Sequence, residues 1–181
     1  MKITAVLGSP RANSVSSAIA RRLLQGAEEA GHEVTVYEIS KMNVKGCQGC
    51  GYCKNHNSDC CIADDLKGYW KDLHESEVLV IAAPNYFSQV CGPMITFMNR
   101  HYCLTGKDRT ARLEPGKKLI GILSEGMPTP YEAAEKNFRW FLECLSARSM
   151  TVQEPLFASA GMKPEKWEAL MEKAYQMGKS L

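Results

Sequence analysis

Five of the eight cysteines in this 181-residue chain fall between Cys47 and Cys61. The spacing is Cys47-x2-Cys50-x2-Cys53-x6-Cys60, with Cys61 adjacent. Three thiolates at two-residue gaps can wrap three corners of a compact iron–sulfur cubane, and a short return brings a fourth. Bacterial ferredoxins open the same way, although the three-residue gap and proline that usually close their run are absent here. Gly46, Gly49 and Gly51 keep the turn sterically open. Structural zinc usually takes two separated Cys-x-x-Cys knuckles, which this spacing fits poorly. A Cys-x-x-Cys dithiol leaves the remaining cysteines idle. Cluster, zinc and free thiols all stay open on the residues alone. Cys91, Cys103 and Cys144 stand in apolar or helical contexts and read as small buried side chains.

The second stretch with chemistry in it is Gly8-Ser9-Pro10-Arg11-Ala12-Asn13-Ser14-Val15-Ser16-Ser17. It lies between an apolar run, Ile3–Leu7, and a helical pattern that begins near Ser14. A strand that turns into a helix through such residues offers an anion the unpaired N–H groups of the first turn and the helix dipole. Arg11 adds charge; Ser9, Asn13, Ser14, Ser16 and Ser17 add donors. A Walker loop needs a second glycine followed by lysine, and a dinucleotide fingerprint needs Gly-x-Gly-x-x-Gly; neither is present. The loop suits one terminal phosphate better than a pyrophosphate. The plain alternative is a polar turn with Ser14 or Asn13 as N-cap.

Alternating patterns supply the elements that must position these groups. Residues 16–29 carry apolar side chains at helical spacing, and Glu33–Ile39 alternates as a strand. Together with the first strand they make a βαβ unit with a parallel pair. Residues 40–63 fit no period, and connections of that length are usually functional or disordered. A helix is expected from Asp64 through Leu73, with acid at its N-terminus. Val78–Ala83 is a continuous apolar run, as in a central parallel strand covered on both faces. It ends at a loop, residues 84–89. A helix is expected over 92–102, a polar excursion over 105–116 and a strand over 118–124. A helix is expected over 131–145, an irregular strand over 150–158 containing Pro155, and a terminal helix over 163–181. The order predicts an α/β doubly wound sheet of five parallel strands, in the order 2-1-3-4-5, with helices on both faces. The whole of 1–181 is expected to be one domain, with the cysteine-rich loop at 44–63. Loops 8–17, 84–89 and 124–130 fall at carboxyl ends of strands, where ligands bind in open parallel sheets.

Net charge is +2, which leaves no footprint for nucleic acid or membrane and disfavours an acidic electron carrier. No run is long and apolar enough for a transmembrane helix, and Met1-Lys2-Ile3 enters a strand without a signal-peptide core. A cytoplasmic location is the expectation.

Gly8-Ser9-Pro10-Arg11-x-Asn13-Ser14, the cysteine loop ending in Cys60-x3-Asp64-Asp65-Leu66, and Ala83-Pro84-x-Tyr86-Phe87 together carry a resemblance. Gly92-Pro93-Met94 and Asn99-Arg100 extend it over nearly the whole chain. The chain resembles the flavodoxin-like NADPH-dependent FMN reductase superfamily, and within it the iron-sulfur flavoprotein branch. The resemblance implies FMN, with its phosphate on Ser9, Arg11, Asn13, Ser14, Val15 and Ser16. Pro84, Asn85, Tyr86 and Phe87 would flank the ribityl chain and ring, and Ser124, Glu125 and Gly126 the pyrimidine end. It further implies a [4Fe–4S] cluster on Cys47, Cys50, Cys53 and Cys60, with Cys61 as the alternative fourth ligand. Ser14-Val15-Ser16 stands where the family often has Gly-Asn-Thr, and the third loop has one glycine where relatives often have two. The implied activity is electron transfer from NAD(P)H, or from a ferredoxin-type donor, to a small acceptor. The flavin carries the chemistry and no side chain is catalytic. The alternatives are a cluster-free NAD(P)H:FMN or quinone reductase and a non-enzymatic flavodoxin-type carrier. A homodimer or homotetramer is implied.

Overall fold

The apolar run at 78–83 becomes the middle of the sheet. In a computed structural model that describes residues 1–127 and 131–181, the strand Val78–Tyr86 (β3) lies between Lys2–Leu7 (β1) and Lys117–Glu125 (β5). Glu33–Glu38 (β2) flanks β1, and Met150–Val152 (β6) flanks β5. The order is β2-β1-β3-β5-β6, every neighbouring pair parallel. Successive residues of β3 serve opposite faces. Leu79, Ile81 and Ala83 face one core, and Val78, Val80 and Ala82 face the other. Burial on both faces is why the run shows no alternation.

Two short strands bring the sheet to seven. The expected fifth strand is interrupted around Pro155, which has no N–H to give a ladder. Its two pieces, β6 and Leu156–Ser159 (β7), both pair in parallel with β5. The loop expected at 84–89 is a hairpin. β3 runs on to Tyr86, and Gln89–Val90 (β4) pairs back antiparallel with Asn85 and Tyr86. Phe87 and Ser88, both at positive φ (55° and 63°), make the two-residue turn.

Val15–Glu29 (α1) and Pro164–Lys179 (α6) cover one face. Tyr52–His56 (α2) is a single turn within the cysteine loop. Lys67–Glu75 (α3), Gly92–Arg100 (α4) and Glu132–Ser146 (α5) cover the other face through Tyr69, Phe97 and Phe138. α3 starts at Lys67, later than expected, after a turn in which Asp64 Oδ1 accepts from the Leu66 N–H (3.1 Å) and its Oδ2 from the Lys45 N–H (3.0 Å). α4 ends at Arg100, and a 3-10 turn completes the segment to Leu104. Within that turn His101 is buried against Tyr69. Its Nδ1 faces the Phe97 carbonyl, which can only accept, so Nδ1–H donates and Nε2 accepts from the Tyr69 hydroxyl (2.7 Å). Burial pushes the imidazole down to about 4, so it is neutral.

Candidate functional site

The carboxyl ends of β1, β3 and β5 open into a cavity of about 350 Å³. Ser14 caps α1, its Oγ accepting from the Ser17 N–H (3.4 Å) and bonded to Ser16 Oγ (2.9 Å). Ser9 is nearly buried, and its Oγ accepts from the Arg11 N–H (3.2 Å). The strand end itself is tightly placed. Gly8 N–H donates to Ala82 O, and Cys91 Sγ donates to Gly8 O (3.1 Å). A Cβ at Gly8 would lie 2.7 Å from Met94 Cε and 3.3 Å from Met94 Cβ, so the first turn of α4 packs directly on this strand end.

Eleven sequence-predicted residues line this cavity: Ser9, Arg11, Asn13, Ser14 and Val15, then Pro84, Asn85 and Tyr86, then Ser124, Glu125 and Gly126. Ser16 is wholly buried behind the wall and braces Ser14. Phe87 is fully exposed and lines an adjoining cavity of about 320 Å³ with Asn85, Ser88, Gly126, Met127 and Tyr131. Residues 128–130 of the third expected loop lie outside the described residues. Ser159 and Ala160, at the end of β7, also line the main cavity. Sequence reasoning missed them because Pro155 obscures the strand they follow.

The wall carries unspent acceptors. Glu125 is buried. Its Oε1 accepts from the Tyr131 N–H (2.6 Å) at the start of α5, and its Oε2 has no partner among the described residues. Asn85 Oδ1, also buried, has none either. Buried polar atoms are normally bonded, and no described residue bonds either of these two. Glu135 nearby has its carboxyl raised by burial and by the Glu125 charge. A single-phosphate cradle, a roomy slot and orphaned acceptors fit FMN. The flavin brings one terminal phosphate, ribityl hydroxyls and a ring imide N–H.

The cysteine loop forms a second concavity. Cys47, Cys50, Cys53, Cys60 and Cys61 all line it, with Cys103, Arg100 and Tyr102. Its free space is about 10 Å³, enough for about one water. Among the described residues, no three His, Cys, Asp or Glu side chains stand at metal-holding geometry. The donor set, all sulfur, suits an iron–sulfur core, and the space between the sulfurs would have to widen to admit one. Cys103 is a neutral wall, its thiol pushed up to about 12 by burial. Cys91 is buried as expected, whereas Cys144 is only half-buried.

Fixed ion pairs hold this loop. Arg100, wholly buried, pairs with the equally buried Asp64 carboxylate. It also donates from Nη1 to Lys45 O (2.8 Å) and from Nε to Cys60 Sγ (3.2 Å). Asp64 accepts further from the Lys45 and Leu66 N–H groups, and Asp65 accepts from Asn43 N–H (2.6 Å). Burial alone would raise the Asp64 pKa, but Arg100 and those N–H groups hold it below the usual carboxylate range. Asp59 bonds His74 and Arg112, each at 3.0 Å. Lys54 Nζ donates to Tyr102 O, Thr105 O and Thr105 Oγ1. None of the basic anchors was singled out in the sequence as a site residue.

A parallel sheet wound in this order has the flavodoxin-like arrangement. Residues 1–161 match the profile of the NADPH-dependent FMN reductase family, and the chain belongs to that family. It is 33% identical over 100 residues to an iron-sulfur flavoprotein of Archaeoglobus fulgidus, covering 55% of this chain and 45% of that one. It is 29% identical over 119 residues to the iron-sulfur flavoprotein of Methanosarcina thermophila, covering 66% and 62%. The aligned region thus spans about half the length of such relatives. An NAD(P)H:quinone oxidoreductase from Methanothermobacter marburgensis shares the fold, with a TM-score of 0.70 at 18% identity over 99% of this chain and 95% of that one. Among the described residues, no helix is long and apolar enough to cross a membrane.

Proposed function

We propose that the chain is an oxidoreductase that holds FMN in the cavity at the strand ends and passes electrons from NAD(P)H, or a ferredoxin-type donor, to a small acceptor. The observation that carries this is the cavity at the three strand ends, which begins at the capped N-terminus of α1 and is lined by Arg11, Asn85 and Glu125. When bound, FMN would supply the redox chemistry between donor and acceptor. The protein's part is binding and orientation. Arg11 and the first-turn N–H groups of α1 take the phosphate dianion, and Asn85 and Glu125 accept from the flavin's hydroxyl and N–H donors. Pro84 and Tyr86 line one wall of the cavity. Arg11→Ala is expected to weaken FMN binding by about 1.5–3 kcal/mol, the range for hydrogen bonds to charged groups. Titration of the apoprotein with FMN, followed by flavin fluorescence, measures it. Unchanged affinity removes Arg11 from the site.

For the cysteine loop we propose Cys47, Cys50, Cys53 and Cys60 as the ligands of a [4Fe–4S] cluster, which would relay single electrons beside the flavin. Support comes from the five thiols converging on one concavity and from the iron-sulfur flavoproteins among the curated relatives. A cluster-free reductase is the second reading. The narrow space between the sulfurs favours it.

A further inference from the structure

Arg100 heads the wholly buried side chains among the described residues by volume. A buried guanidinium is costly unless paired, and Asp64 pairs it. That pair does not explain the remaining donors. Nη1 also holds Lys45 O, at the start of the cysteine loop, and Nε is aimed at the Cys60 sulfur at 3.2 Å. A neutral thiol is a weak acceptor, and a thiolate is a strong one for a cationic donor. Cys61, next in the chain, is exposed and receives no such donor among the described residues. The same helix, α4, abuts the other site. Its first turn sits on Gly8 through Cys91 and Met94. Nine residues of helix span about 13 Å, so α4 fixes the sulfur loop relative to the strand end that carries the phosphate turn.

We propose that Arg100 is a positioning residue for electron transfer: it selects Cys60 over Cys61 as the fourth ligand and raises the reduction potential of the iron centre that Cys60 binds. This rests on the iron–sulfur reading of the loop given above. Reduction adds one electron to the bound centre and moves no proton from Arg100. A cationic hydrogen-bond donor on a ligand sulfur stabilises that more negative state. Lysine cannot substitute, because one ammonium on a flexible stem cannot serve Asp64, Lys45 O and Cys60 from a fixed fork.

The test uses the 181-residue chain, FMN-loaded, prepared anaerobically and reconstituted with iron and sulfide. Arg100→Lys is expected to keep its iron and to lower the equilibrium constant for one-electron reduction about tenfold, a midpoint about 59 mV more negative in an EPR-monitored dithionite titration. Arg100→Gln is expected to lower it further. Cys60→Ser is expected to lose iron and Cys61→Ser to keep it. Variants that hold iron at the wild-type midpoint overturn the role of Arg100, as does iron retained by Cys60→Ser and lost by Cys61→Ser. Wild-type protein that keeps FMN but takes up no iron sinks the iron–sulfur reading itself, and this inference with it. If the Arg100 variants do not fold, wild-type protein carrying nitrogen-15 only in arginine decides. Pulsed EPR of the reduced centre should show a nitrogen-15 coupling, and its absence refutes the assignment.

Discussion

Asp64→Ala is expected to cost about 3–5 kcal/mol of folding stability, the cost of leaving one buried charge without its partner. The side chains of Asp64 and Arg100 are both fully enclosed, so the substitution leaves the guanidinium enclosed without its counter-charge. The same substitution frees the Lys45 and Leu66 N–H groups, which unpins the start of the cysteine loop and the entry to α3. Because the Asp64 pKa is held down in the folded protein, its contribution is present above the ordinary carboxylate range. It is lost as pH falls through the lowered folded value. Urea denaturation of the reduced apoprotein at neutral pH measures the effect. Asp64→Ala combined with Arg100→Met removes the stranded charge and should recover much of the loss. A single substitution that costs under about 1 kcal/mol would mean that the pair is solvated, as surface pairs are.

The second large effect is expected at the crossing of α1 and α6. A Cβ at Gly178 would stand 1.9 Å from Leu23 O, and one at Gly26 would stand 2.2 Å from Tyr175 O. Both obstacles are backbone, so neither helix can yield by turning a side chain. Gly178→Ala must push α6 away from α1 and open the core around Ile19, Leu23 and Ala174. A cost at or above the upper end of the usual overpacking range, about 3 kcal/mol, is expected. Ser14 and the phosphate turn lie at the far end of α1. FMN affinity at a temperature where the variant stays folded should therefore be close to wild type. Thermal unfolding with and without FMN separates the two outcomes. A wild-type midpoint would show that the helices do not meet this closely.

The fold was legible where burial leaves a local mark. Val78–Ala83 shows its two-sided burial as an unbroken apolar run, and Ser14 shows its capping role by standing just ahead of a helical period. The three strand-end loops followed from the strands. What the sequence hides is pairing at long range. Arg100 enters the sequence reading only through the Asn99-Arg100 pair of the resemblance, with no role of its own, and only the topology brings it to a sulfur forty positions away. Asp64 and Asp65 read as acids at a helix start; Asp64 does accept from the Leu66 N–H there, but the two carboxylates also reach back to Lys45 and Asn43, which the sequence did not show. The β3–β4 hairpin escaped notice because Phe87-Ser88 lacks the Asn-Gly or Asp-Gly signature of its turn. Cys103 was read as a buried spectator. It is buried, but as part of the wall that faces the other five thiols.

The central claim is that the cavity at the strand ends is built for one flavin with one phosphate. Apoprotein, stripped of any flavin it carries, is titrated with FMN, riboflavin and FAD under identical conditions. FMN should bind at one per chain. Riboflavin should bind more weakly by the whole contribution of Arg11 and the α1 N-terminus, and FAD more weakly than FMN, because the turn lacks the glycines that admit a pyrophosphate. Tighter binding of FAD, equal binding of riboflavin, or no flavin bound at all would contradict the account.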